Sequence, residues 1–198
     1  MTREIPCSCV IFMLMIANIN KTNARRIELL HDTERIIKIY LHILHNTNSR
    51  WDYFVDARSL SVIPSSFEEI KKAMLDAKAR DTRLRFITEI TKENIFYTKE
   101  LMESVELRHL DGVRGNFGVI DSEYIAISTI DAAAEPISAR TTIPHAVYSN
   151  VIEDVQQQRY VFEILWNKAT PAEQRIREID EGVQPVSTRI LEDQICHQ

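Results

Sequence analysis

RGNFGVIDSEYI, residues 114–125, holds two of the chain's four glycines, and a third, Gly112, lies just before it. A loop this rich in glycine needs unusual backbone angles or a close approach by another group. Beyond it, NFGVI and YIAIST are two short apolar runs about the polar turn Asp121-Ser122-Glu123, the pattern of a β-hairpin. What this hairpin attaches to decides the fold.

Upstream, helix and strand signals alternate. Thr33 to His45 carries Ile36, Ile37, Tyr40, Leu41 and Leu44 at helical spacing, ended by Asn46-Thr47-Asn48-Ser49. WDYFV, residues 51–55, is aromatic and β-branched, so a strand. After a loop closed by Pro64, Ser65 or Ser66 with Glu68 or Glu69 makes a capping box for a helix to about Ala79. LRFITEI, 84–90, is a second strand, followed by a helix from about Lys92 to Ser104. VELRHL, 105–110, is a third strand, and it runs into the glycine loop.

Downstream, 131–144 reads as a polar loop. Val147, Val151, Val155, Phe162, Leu165 and Trp166 then predict one long helix from Pro144 to Ala169. Thr170-Pro171-Ala172-Glu173 opens a short last helix that Gly182 closes. The order predicts an α/β fold: a mixed, mainly parallel sheet covered by helices, with the hairpin antiparallel and a long C-terminal helix. Residues 1–25 form an apolar N-terminal extension, 26–169 the domain, and 170–198 a linker helix and tail.

Composition bounds the function. At 198 residues and a net charge of −5, without a basic stripe, the chain does not resemble a nucleic-acid surface, and nucleic acid is excluded as a partner. Three cysteines predict a reducing, cytoplasmic setting. Cys7, Cys9, Cys196 and His197 offer four metal ligands, but the C-x-C spacing is not a zinc knuckle and no metal is assigned. His42 and His45, three apart on a helix, read as solvent-facing. CVIFMLMIA, 9–17, is too short to span a bilayer and lacks a clean cleavage site; it reads as a misplaced start or an extra apolar segment. No phosphate-binding loop, G-x-G-x-x-G or G-x-S-x-G motif is present, so no cofactor is implied.

In α/β sheets ligands lie beyond the carboxyl ends of the strands. Those ends place Asp56, Arg58, Glu89 and His109, and the strands add Arg85 and Arg108. Two readings stand: exposed strand ends with ordinary ion pairs, or a polar pocket for a small, anionic ligand.

The order of elements resembles one half of a phospholipase-D-like domain. The catalytic motif of that family is H-x-K-x-x-x-x-D. With its aspartate at Asp121, Arg114 stands at the histidine and Asn116 at the lysine. Arginine stays protonated and is not a nucleophile, so phosphodiester cleavage by that route is not expected. A longer resemblance runs from about Arg26 to Asp193. It is carried by DAKARDTRLRFITEITKENI (76–95), ELRHLDGVRGNFGVIDSEYI (106–125) and YSNVIEDVQQQRYVFEILWNKATPAEQRIREIDEG (148–182). These segments resemble the sensory region of sensor histidine kinases of ammonia-oxidising archaea, phospholipase-D-like and related in shape to the effector domain of TrmB-type regulators. The resemblance implies signal input without catalysis. The strand ends themselves, rather than the resemblance, place the expected ligand near Asp56, Arg58, Glu89, His109 and Asn116, with Arg85, Arg108 and Asp121 as further ligand-binding candidates. The apolar seam of the long helix is expected to pair as a homodimer or with a related kinase. The rival readings are an interaction module pairing with and competing against full-length kinases, a transcription-regulator effector domain, and a degenerate phosphodiesterase. The chain stops at STRILEDQICHQ, without a phosphoacceptor box or ATP lid, and is expected to be a stand-alone or truncated sensor.

Overall fold

WDYFV lies near the middle of an eight-stranded sheet in the computed structural model, which describes residues 24–61, 68–127 and 145–182. Pro64, the Ser65/Ser66 capping box, the 131–144 loop, CVIFMLMIA, Cys7, Cys9, Cys196 and His197 lie outside the described residues. The strands are β1 (Ile27–Leu30), β2 (Arg50–Val55), β3 (Arg83–Thr88), β4 (Glu106–His109), β5 (Asn116–Ile120), β6 (Glu123–Ile127), β7 (Ala146–Ser149) and β8 (Thr170–Pro171). The helices are α1 (Thr33–Asn46), α2 (Glu68–Ala79), α3 (Ile95–Met102), α4 (Ile152–Lys168) and α5 (Ala172–Asp180).

The sheet order is β1-β7-β6-β5-β2-β3-β4-β8. Among the described residues only β2–β3 and β3–β4 pair in parallel. The other five pairings are antiparallel, so the expected mainly parallel sheet is corrected to a mostly antiparallel one. The reason is the hairpin. β5 docks beside β2 rather than beyond β4, so β6, β7 and β1 all build outward from it in alternating sense.

The long helix expected from Pro144 to Ala169 is also corrected. Its first part is β7, and the helix begins only at Ile152. Val147 and Val151 match a helical repeat, but Ala146 and Tyr148 alternate with Val147 across a strand held by β1 and β6. Thr170 is likewise not a helix cap: it pairs with His109 in β8, and Pro171 takes the cap position of α5.

Strand alternation sets the two faces. Trp51, Tyr53 and Val55 point with Leu84, Phe86 and Leu107 into a core shared with α1, α2, α3 and α5. Phe54 and Ile87 point the other way, against Phe162 and Trp166 of α4. Burying a side chain of this size stabilises by about 1.5–3 kcal/mol, and Trp51, Phe86 and Phe162 are all fully enclosed. The chain therefore carries all three of β2, β3 and β4 to one edge with their carboxyl ends aligned, and Asn116 enters β5 at that same edge.

Candidate functional site

Asp56 follows the last residue of β2 and is 1% exposed. Its Oδ1 accepts from the Arg58 backbone N–H at 2.9 Å and from Arg58 Nε at 3.2 Å. Its Oδ2 is buried without a hydrogen-bond partner among the described residues. Burial pushes the carboxyl up, but the Arg58 bonds and charge, with Arg114 behind them, outweigh it and hold Asp56 below its usual value. The Asp56 N–H donates to Asn116 Oδ1 at 3.0 Å, and Asn116 Nδ2 donates to Ser59 Oγ at 3.2 Å. Asn116 thus ties the entry of β5 to the loop after β2.

Next to it, Arg114 Nη1 donates to Glu89 Oε2 at 3.0 Å. Glu89 follows β3, and the Asn94 amide binds its carbonyl at 2.9 Å and that of Ala57 at 3.3 Å. His109, at the end of β4, is buried; its Nδ1 accepts from the Ile90 N–H at 2.9 Å. That bond leaves the ring proton on Nε2, 3.2 Å from Asp111 Oδ1. Burial, reinforced by the Arg175 charge, lowers the His109 pKa; Asp111 and Glu89 oppose it without prevailing. The imidazole is therefore neutral at pH 7.

Five of the sequence-derived residues, Asp56, Arg58, Glu89, His109 and Asn116, come together on this edge. Three do not. Arg85 points beneath α4, where Nε meets Asp52 Oδ1 at 2.8 Å and Nη2 meets Glu163 Oε1 at 2.6 Å. Arg108 lies 4.3 Å over the Trp166 ring and donates to the Trp166 carbonyl at 3.0 Å. Strand alternation sends both to the α4 face. Asp121 sits at the far end of β5, a strand of about 17 Å by its residue count. There Oδ1 and Oδ2 accept from the Asn48, Ser49 and Arg50 N–H groups and from Ser49 Oγ. Sequence reasoning did not single out Asn94, Ser59 or Arg175. Asn94 had a signal, an asparagine close to the start of an expected helix, which begins at Ile95 rather than at about Lys92; the other two had none. Among the described residues no group of three or more His, Cys, Asp and Glu is placed to hold a metal ion.

No family model matches the chain, and no curated protein matches it significantly. Solved structures do. TrmBL2, described as an archaeal chromatin protein with a novel mode of DNA binding, aligns at TM-score 0.50 and 17% identity over 83% of this chain and 61% of its own. This chain thus spans less than two thirds of TrmBL2. Nuc from Salmonella typhimurium, a phospholipase D family member, aligns at TM-score 0.55 and 14% identity over 75% of this chain and 98% of that one. NucT from Helicobacter pylori gives 0.57 and 9% over 75% and 99%. The chain has a phospholipase-D-like fold, which is also TrmBL2-like. The exclusion of nucleic acid as a partner does not stand: a DNA-binding protein shares this fold, and a net charge of −5 is a statement about the whole surface, not about any one face of it. Among the described residues no helix is long and apolar enough to cross a membrane.

Proposed function

We propose that the chain is a non-catalytic signal-sensing domain of two-component type, which binds a small anionic ligand at the carboxyl edge of β2, β3 and β4. One observation carries this reading. At the two places where the catalytic motif has histidine and lysine, Arg114 pairs with Glu89, and Asn116 holds the Asp56 N–H and Ser59 Oγ. Both side chains serve as struts, and the motif's nucleophilic imidazole has no counterpart there. Arg58 and Arg114, partly and largely exposed, are the anchors for an anion. The kinase connection rests on the three resembling segments.

A thermal-shift screen of the full chain with inorganic phosphate, nucleotides and small carboxylates tests this. At least one anion raises Tm, and the rise disappears in Arg58→Ala and Arg114→Ala. Turnover of bis(p-nitrophenyl) phosphate that is lost in His109→Gln overturns it in favour of a phosphodiesterase. A second reading, the effector unit of a DNA-binding regulator, is favoured by the likeness to TrmBL2. Duplex binding by fluorescence anisotropy that weakens steeply with salt supports it.

A further inference from the structure

His31 follows β1 and His145 precedes β7. Leu30 pairs with Ala146, so the two histidines leave neighbouring antiparallel strands side by side. Their Nδ1 atoms lie 2.6 Å apart, with ring centroids at 4.4 Å and planes at 79°. Two imidazole lone pairs repel at that separation, so a proton or a cation must lie between them. Both residues are solvent-exposed. Three strands, β7, β6 and β5, separate β1 from β2, which puts the pair about 19 Å from Asp56 at ordinary strand spacing. The pair is thus distinct from the cluster described above.

We propose that His31 and His145 form a two-imidazole site for a divalent transition-metal ion, taking Cu2+ or Ni2+ ahead of Zn2+. Metal–imidazole bonds of about 2.0 Å put neighbouring ligands of a square plane about 2.8 Å apart, and those of a tetrahedron about 3.3 Å. From 2.6 Å the rings part only slightly to meet the first geometry. The intrinsic affinity order for nitrogen ligands points the same way. Each ring binds as its Nε2–H tautomer, freeing the Nδ1 lone pair, and water fills the remaining positions. A bound ion staples β1, a four-residue strand that among the described residues pairs only with β7, onto the sheet. Because the site exists only when the strands are paired, the ion stabilises the folded chain.

The test uses the full chain with Cys7, Cys9 and Cys196 changed to Ser and His197 to Ala, which removes the competing ligands near the ends. Calorimetric titration with CuCl2, NiCl2 and ZnCl2 finds one ion per chain in the order Cu2+, Ni2+, Zn2+, with a micromolar dissociation constant for Cu2+. The Cu2+ electron paramagnetic resonance spectrum shows splitting from two nitrogens, and Tm rises with Cu2+. Affinity falls at least tenfold in His31→Ala and in His145→Gln, both with the parent's Tm in the absence of metal, and is unchanged in His42→Ala. Absent binding, binding that survives both substitutions, or binding lost in His42→Ala overturns the proposal. Zinc binding tighter than copper overturns the square-planar assignment.

Discussion

Gly118 has a hydrogen where any other residue would place a Cβ 2.6 Å from Tyr53 Cδ2 and 2.9 Å from Cε2. Tyr53 is buried between Tyr40, Trp51 and Phe86 and has nowhere to move. Gly118→Ala therefore costs about 1–3 kcal/mol by overpacking, read as a lower urea midpoint. Gly115 is different: it has open space but a φ of 82°, so Gly115→Ala costs about 1–2 kcal/mol through backbone strain alone. Density of glycine in this stretch was plain from the sequence; which glycine served a turn and which a close approach depended on a tyrosine far away in the chain. Asp121 makes the same point. Its spacing from Arg114 lays it over a catalytic aspartate, yet its carboxylate gathers three N–H groups and a hydroxyl from residues 48–50. Asp121→Ala lowers stability by about 2–3 kcal/mol and leaves the Tm rise with anion bound at the opposite edge unchanged in the thermal-shift screen. Burial raises its pKa, but these bonds outweigh burial and lower it. Its contribution is accordingly present above the unfolded value of about 3.9 and lost as pH falls through the lower folded one.

Helix α4 is held to the sheet by charge as well as by apolar packing. Glu163 bridges Arg85 and Arg50, both of which also meet Asp52, and Arg85 lies 5.1 Å from the Phe162 and 4.9 Å from the Trp166 ring centroid. Burial alone would lower the Arg85 pKa; Glu163 and Asp52 more than reverse it. The Arg85 bond, against burial, holds the Glu163 pKa at about 2. The folded value is depressed, so stability from this bridge is complete above the unfolded value of about 4.3 and lost as pH falls toward about 2. Glu163→Gln removes about 1–2 kcal/mol at pH 7, less than a fully buried pair because Glu163 is partly exposed. It also flattens the acid limb of the stability curve, measured by urea unfolding from pH 2 to 7. The valine repeat that predicted one helix over 144–169 was real over α4 and accidental over β7. Four residues are too few for periodicity to separate the two, and the pairing of Ile27 with Ser149 and Glu28 with Tyr148 settles them as strand.

Across the whole molecule, β1 pairs with β7 although more than a hundred residues separate them, and β2 lies between the distant β5 and β3. Such non-local pairing makes folding slow. Stopped-flow refolding occurs in milliseconds to seconds, and a submillisecond phase carrying the full amplitude would contradict the topology. His109 of β4 joins the loop after β3 to β8, and its folded pKa is lowered, by burial first. Stability consequently falls as pH drops below the unfolded value of about 6.5 and through the folded one, and His109→Gln removes that dependence between pH 5 and 7. The alternation of helix and strand, the hairpin and the polar residues at the ends of β2, β3 and β4 were all legible in the amino-acid order. These depend on the local period of apolar side chains and on turn chemistry, both properties of a few consecutive residues. Strand order, the antiparallel majority, the removal of Arg85, Arg108 and Asp121 from the carboxyl edge, and the meeting of His31 with His145 required the folded chain. Each is a contact between segments far apart in sequence, chosen by which apolar faces pack together and which backbone edges remain to be paired.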